Sequence, residues 1–383
     1  MDKPTVQDIF HRFYPAYLDQ YSPSPVQAKV AHNIMNCKTG AYGANVCVCE
    51  DCGFVQIHYN SCRNRCCPMC QAVPKEMWMD ARREDVLDAP YFHLVFTVPD
   101  ILNPVIYSNQ RLLYDALYHA ASSTISELTA DPKHLGAKVG YICILHTWGS
   151  EMNFHPHIHT ILLGGGLASN NQWKDNGENF FLPIRVISKM FRGKYLEELK
   201  RLWKEDKLVF HGTAEKFRNH YTFKELLDSC YGMDWIPHCK KTFNGAQTVI
   251  KYLGKYTHRI AVSNHRIVCM DDDTVTFLVK DYRNEGQWKE LTISGVEFVR
   301  RFLMHVPPRR FVRIRHYGLL CSRTKSQKLT LCRNLLGCKK YLSKLRDMEM
   351  PEILEHLYGI KVCVCKACGG HLGKPQMRMP LRC

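Results

Sequence analysis

Apolar residues recur along this chain with several different periods, and each change of period predicts an element. A short helix is expected around Val6 to Phe13. Tyr91 to Val98 reads YFHLVFTV, β-branched and aromatic and closed by Pro99, which predicts a buried strand. From Asn103 to Leu128 the apolar positions (Val105, Leu112, Leu113, Leu117) take helical spacing, giving one or two helices. Two further apolar runs, Val139 to Trp148 and His155 to Leu163, are joined by the turn-rich GSEMNF and predict an antiparallel hairpin, closed by Gly164 to Gly166. Ala168 to Glu178 is polar and Asn/Gly-rich, hence a loop. An amphipathic, basic helix is expected from Ile187 to Trp203, one further strand at Asp234 to Lys240, and a helix from Asn244 to Tyr256 with Asn244 and Gly245 near its start. Short strands follow from Ile260 to Val279.

This order predicts an α+β fold, a central antiparallel sheet with flanking helices, preceded by a Cys-rich N-terminal domain. The expected units are a zinc-binding domain over 1–90, a sheet domain over 91–280 with a helical insertion at about 168–233, and a basic C-terminal region over 281–383.

Composition narrows the class. An apolar content of 45% and a charged content of 23% over 383 residues are those of an ordinary globular chain. No run reaches the ~18 uncharged apolar residues of a membrane span. The N-terminus, MDKPTVQDIFHRFYP, lacks the apolar stretch of a signal peptide, so a cytoplasmic, nucleoid-associated protein is expected. The net charge is +16, and from Arg300 to Arg346 there are fourteen Lys or Arg and no Asp or Glu. Clustered cations are rewarded by a polyanion, because neutralised phosphates release counterions. Phe302, Phe311, Tyr317 and Tyr341 interleave with the charge and could stack on bases, which points to nucleic acid. Arg309, Arg310, Arg313 and Arg315 are the candidate contacts within that segment.

The chain has 19 cysteines, eight of them between Cys37 and Cys70. In a reducing compartment such clustering indicates metal rather than disulfides. Cys49 with Cys52 and Cys67 with Cys70 form two CxxC knuckles separated by fourteen residues. Two knuckles complete a tetrahedral zinc site. Cys37, His58, Cys62 and Cys66 could hold a second zinc, with Cys47 also in range; the alternative is a single zinc beside buried thiols. Near the other end Cys365 and Cys368 make a further knuckle, whose partners could be Cys363, His371 or Cys383.

In HPHIH, His155, His157 and His159 alternate, so a strand puts them on one face. All three on a straight strand would span roughly 13 Å, too far for a common ion, so two can ligate together. Pro156 places His155 at the beginning of the strand, which favours His157 and His159. His146 on the preceding strand is the candidate third ligand, and Glu151 in the connecting loop competes with it. Downstream, Tyr252 and Tyr256 in KYLGKYTHR lie four apart, sharing one face of a helix among Lys251, Lys255, His258 and Arg259. Those cations could hold a phosphate and ease formation of a phenolate, and a tyrosine attacking phosphorus stores the broken bond as phosphotyrosine.

Taken with CEDCGF, NSCRNRCCPMCQ, FHLVFTVP, LHTWGSEMNFHPHIHTILLGGG, FFLPIRVISKMFRGKYLEELKRL, YLGKYTHRIAVSNHRI, VEFVRRFLMHVPP and FVRIRHYGLL, these residues resemble the insertion-sequence-91 transposases, rolling-circle enzymes of the HUH class. The resemblance runs over most of the chain. It implies an HUH nuclease-like sheet domain, with the HUH histidine pair matching His157 and His159 and two nucleophilic tyrosines matching Tyr252 and Tyr256. It also implies that Cys49, Cys52, Cys67 and Cys70 belong to a zinc-binding segment. One departure is Cys66, where family members often carry His. The implied activity is cleavage and rejoining of single-stranded DNA, at element ends and target, with Mg²⁺ or Mn²⁺ at the histidines and structural zinc elsewhere. Two rivals stand beside it: a non-catalytic, zinc-dependent DNA-binding regulator, and a metal-dependent hydrolase that would make no use of the tyrosines.

Overall fold

The computed structural model describes residues 3–175, 182–235, 237–243, 249, 254, 261–281 and 286–378. The expected helix Asn244 to Tyr256 falls almost wholly outside these residues. So do Tyr252, Tyr256, Lys251, Lys255, His258 and Arg259.

The N-terminal segment opens with α1 (Val6–Gln20) and α2 (Pro25–Met35), each started by a capping box, Thr5 with Asp8 and Ser24 with Gln27. A hairpin follows, β1 (Ala44–Val48) and β2 (Val55–Tyr59), and then α3 (Ala72–Arg83). Strand β3 (Tyr91–Thr97) leads to α4 (Asn103–Ser108) and α5 (Gln110–Ala130). Two helices form in this stretch because Asn109 breaks the run: its Nδ2 donates to the Val105 and Val209 carbonyls at 2.9 and 2.7 Å. The hairpin is β4 (Lys138–Trp148) and β5 (Phe154–Leu167).

The stretch expected as loop at Ala168 to Glu178 contains a short strand, β6 (Trp173–Asp175), paired with Gly165, Gly166 and Leu167. A tight turn with the Ala168 N–H donating to Gln172 O at 2.9 Å brings it back. Then come α6 (Ile184–Lys204), α7 (His220–Gly232) and β7 (His238–Phe243). The last starts later than expected, because Trp235 is drawn into the helical layer against Phe191 and Tyr195 and donates to the Cys230 carbonyl at 3.0 Å. Beyond the tyrosine segment come β8 (Ile267–Met270), β9 (Thr274–Asp281), β10 (Gln287–Ser294), the helix Gly295–Met304, β11 (Ile314–Gly318), the helices Lys325–Leu336 and Met350–Tyr358, and β12 (Gln376–Arg378).

The fold is α+β. The central antiparallel sheet runs β11-β4-β5-β3-β7, with β6 added on β5. Strand alternation gives it two faces. One carries Tyr141, Cys143, Leu145, Ile158, Leu162, Phe92, Leu94 and Phe96 into a large core beneath α5, α6 and α7. The other carries Ile142, Ile144, Ile161 and Leu163 into a smaller core with Leu87, Val249, Leu319, Leu320 and Leu329. A third core joins α1 and α2 to the sheet β8-β9-β10 and the helix Gly295–Met304.

Two expected boundaries are thereby redrawn. Residues 6–37 share a core with 261–306, and β11, from the segment expected as a basic appendage, pairs with β4 as part of the central sheet. Among the described residues no helix is long and apolar enough to cross a membrane.

Candidate functional site

Three histidines converge on the smaller-core face of the sheet. His146 and His157 are direct cross-strand partners, and His159 pairs with Ile144 one step along. Their ligand-capable nitrogens all lie within 4.8 Å of one another, and all three side chains are buried. His157 Nε2 and His159 Nε2 stand 3.1 Å apart, close to the roughly 3 Å that separates adjacent ligands around an ion with bonds of ~2.1 Å. The ring tautomers suit a cation as well. His157 Nδ1 must donate to the His155 carbonyl at 2.6 Å, so in the neutral ring it is Nε2 that carries the lone pair a metal ligand needs. His155 packs beside His157 but stays outside the converging set, with Nδ1 3.2 Å from Asp100 Oδ1, and Glu151 faces Lys289.

Two further histidines, missed in the sequence pattern, brace this group. His93 on β3 reaches His159, with Nε2 2.9 Å from Nδ1. The only signal for it was an imidazole inside an otherwise apolar strand. His305, on the C-terminal turn after Gly295–Met304, donates from Nε2 to the Met152 carbonyl at 2.9 Å and lies 3.2 Å from the Thr147 hydroxyl. Burial pulls its pKa down to about 4, so it stays neutral while pinning the β4–β5 turn.

The cysteines form two sets, and neither is the expected one. Cys37, Cys62, Cys67 and Cys70 converge to within 4.8 Å, as do Cys49, Cys52, Cys365 and Cys368. The knuckles CEDC and CPMC therefore share no site. The hairpin explains why: Ala44 pairs with Tyr59 at its base, beside Cys37 and Cys62, whereas Val48 pairs with Val55 at its tip, beside Cys49 and Cys52. Four strand steps of ~3.3 Å separate the two ends.

In the first set, hydrogen bonds from the Cys62 and Cys67 thiols lower the pKa of Cys70, which favours its thiolate. Cys66 and His58 join neither set. The Cys66 thiol is buried in the core that also holds Trp148, Phe302 and Val306, where desolvation raises its pKa. His58 meets Gln56 instead, Nε2 to Nε2 at 2.6 Å. Cys47 is buried beside the second set.

The basic segment divides similarly. Arg309 and Arg310 are exposed and, with Lys29 and Arg65, line a cleft of about 230 Å³ beside Asn64 and Cys66. Arg315, expected to contact DNA, is committed elsewhere: it pairs with Asp115 and lies 4.0 Å over the Tyr118 ring.

Residues 9–98 match the family described as "Transposase zinc-binding domain", and residues 140–328 match one described as "Putative transposase". The "Putative transposase y4qJ" of Sinorhizobium fredii is 40% identical over 369 residues, covering 95% of this chain and 93% of that protein. The "Transposase for insertion sequence element IS801" of Pseudomonas savastanoi pv. phaseolicola is 30% identical over 309 residues, covering 79% of this chain and 72% of that protein. The chain belongs to the IS91 family of transposases. Among solved structures, the conjugative relaxase TrwC in complex with oriT DNA is 15% identical, covering 45% of the transposase and 68% of that chain with a TM-score of 0.23. In this transposase the zinc-binding match spans Cys37, Cys62, Cys67 and Cys70 together with Cys49 and Cys52, while the other match begins in β4 and covers the histidine hairpin.

Proposed function

We propose that this transposase cleaves and rejoins single-stranded DNA in rolling-circle transposition, through 5′-phosphotyrosine intermediates on Tyr252 and Tyr256. The observation that carries the reading is the convergence of His146, His157 and His159 on one buried point of the sheet. Three imidazoles at that spacing fit a divalent cation, Mg²⁺ or Mn²⁺, which when bound would polarise the scissile phosphate.

Two described residues beside the tyrosines in sequence, Val249 and Gly254, support this reading. Val249 packs into the smaller core on the histidine face of the sheet, and Gly254 sits so close to Met79 that a Cβ there would overlap its sulfur. The tyrosine hydroxyl supplies the nucleophile: as its oxygen bonds to phosphorus its proton passes to solvent, and the bond to the 3′ oxygen breaks, that oxygen taking up a proton to leave as a 3′ hydroxyl. Rejoining reverses these bonds. The first cysteine set would hold a structural zinc, and the cleft at Lys29, Arg65, Arg309 and Arg310 would grip phosphates.

The test is incubation with end-labelled single-stranded DNA of element ends and Mg²⁺ or Mn²⁺. The proposal expects strand cleavage and a protein–DNA adduct that survives SDS. Cleavage without an adduct would favour a water-activating hydrolase, and binding without cleavage a regulator.

His93 is a positioning residue in this reading. With His159 ligating through Nε2, its Nδ1–H donates to His93 Nε2, which fixes the ring and raises its basicity. We expect His93→Ala to weaken Mn²⁺ binding by about 10- to 100-fold in calorimetry. His93→Gln, which keeps an acceptor, should recover most of that loss. Equal affinity in all three proteins would remove His93 from this role.

A further inference from the structure

We propose that a second zinc ion, held by Cys49, Cys52, Cys365 and Cys368, clasps the C-terminal end of the described chain to the N-terminal hairpin. The two pairs lie more than three hundred positions apart in sequence (|i−j| = 313 for Cys52 and Cys365) yet present four sulfurs within 4.8 Å of one another. Cys49 Sγ is 3.5 Å from Cys368 Sγ, and Cys52 Sγ is 3.8 Å from Cys365 Sγ. A tetrahedron of Zn–S bonds near 2.3 Å has edges of about 3.8 Å.

The two pairs are also built alike. Each is a CxxCG turn. The Gly53 N–H donates to the Cys49 carbonyl at 3.0 Å, and the Gly369 N–H donates to the Cys365 carbonyl at the same distance. Both glycines have left-handed backbone, φ 70° and 76°, which this turn requires and a side chain would strain. The Cys49 N–H donates to Phe54 O at 2.9 Å and the Cys365 N–H to Gly370 O at 2.8 Å. Backbone N–H groups of Ala367 and Gly370 point at the Cys365 and Cys368 sulfurs, both at 3.4 Å, and would stabilise thiolates. Of the other ligands considered from sequence, His371 faces Glu50 at 3.5 Å and Cys363 is exposed; Cys383 lies outside the described residues.

Around the sulfurs the two segments make one small sheet. β12 pairs with β1, Ala44 with Arg378 through Val46 with Gln376, and Cys49 bridges to Leu372. Little else holds this ribbon: its buried apolar cluster is Cys47, Cys49, Cys365 and Leu372, while Val48, Val55, Ile57 and Met377 are exposed. A sheet with so small a core needs a staple, and a thiolate-bound zinc supplies one.

The full-length protein tests this by zinc content and limited trypsin digestion. Wild type should carry two zinc ions per chain, with cleavage at Lys361 and Lys366 slow. Cys365→Ser with Cys368→Ser should carry one and be cut at those lysines at least tenfold faster. The diagnostic variant is Cys49→Ser with Cys52→Ser, which should expose the same distant lysines although no residue near them in sequence has changed. One zinc in wild type, two in the Cys365/Cys368 variant, or unaltered cutting in the Cys49/Cys52 variant would each overturn the clasp. Cys62→Ser serves as a control, losing the other ion while the C-terminal lysines stay protected. Loss of that protection would also count against independent sites and hence against the proposal.

Discussion

Replacement of His157 and His159 together by Ala is expected to lower the rate of strand cleavage by about a thousandfold or more while leaving DNA affinity almost unchanged. Charge stabilisation by a bound cation contributes several kcal/mol to a phosphoryl transition state, and each ~1.4 kcal/mol is a factor of ten in rate. Both rings are buried on β5, and the ion between them and His146 would have only one imidazole left. In the proposed reading DNA affinity would rest on cations elsewhere, including the exposed Arg309 and Arg310, so a filter-binding Kd should move little. The single variants should show graded loss, and excess Mn²⁺ should restore part of it, because weakened affinity is answered by mass action. Cleavage by the double variant at the wild-type rate and with the wild-type metal dependence would show that the ion sits elsewhere.

Replacement of Tyr252 and Tyr256 together by Phe is expected to abolish the covalent adduct altogether. Phe keeps the ring and removes only the oxygen proposed as nucleophile, so the substitution tests chemistry rather than bulk. In the proposed mechanism one strand end is held as phosphotyrosine while another strand is cut, and a four-residue spacing, if helical, would let two hydroxyls address one phosphate site by turns. Each single Phe variant should therefore fail in transposition, while at least one still forms an adduct on a single-stranded oligonucleotide. The variant that blocks the initial nick identifies the first nucleophile. Peptide mapping of the wild-type adduct gives the independent check: DNA attached to any residue outside this pair would move the active site.

Much of this was legible in the residues themselves. The hairpin carrying the histidines follows from two apolar runs around GSEMNF, and the alternation in HPHIH puts His157 and His159 on one face by the geometry of a strand alone. Caps, apolar periodicity and turn residues are local, so α1, α5, α6, β3, β4 and β5 could be read along the chain. His146 could be nominated as a neighbour of that pair. Its placement directly opposite His157 depends on the hairpin register, which shifts between His146 and Trp148.

The tertiary structure alone decided which cysteines meet. Four thiols on two CxxC turns have the same spacing whether they share one ion or serve two, because spacing constrains only ligands on the same turn. The length of the β1–β2 hairpin parted Cys49 and Cys52 from Cys67 and Cys70, and a strand from the far end of the chain brought Cys365 and Cys368 to the vacant side of the first pair. The same holds for Arg315: its charge is visible in sequence, but its pairing with Asp115 and its stacking on Tyr118 follow from β11 joining the central sheet. His93 is the converse case, an unremarked polar residue in an apolar strand that gains a role only through the pairing of β3 with β5. Local periodicity specifies what a segment is. What it touches depends on non-local pairing, whose loop-closure cost and register no short pattern of residues encodes.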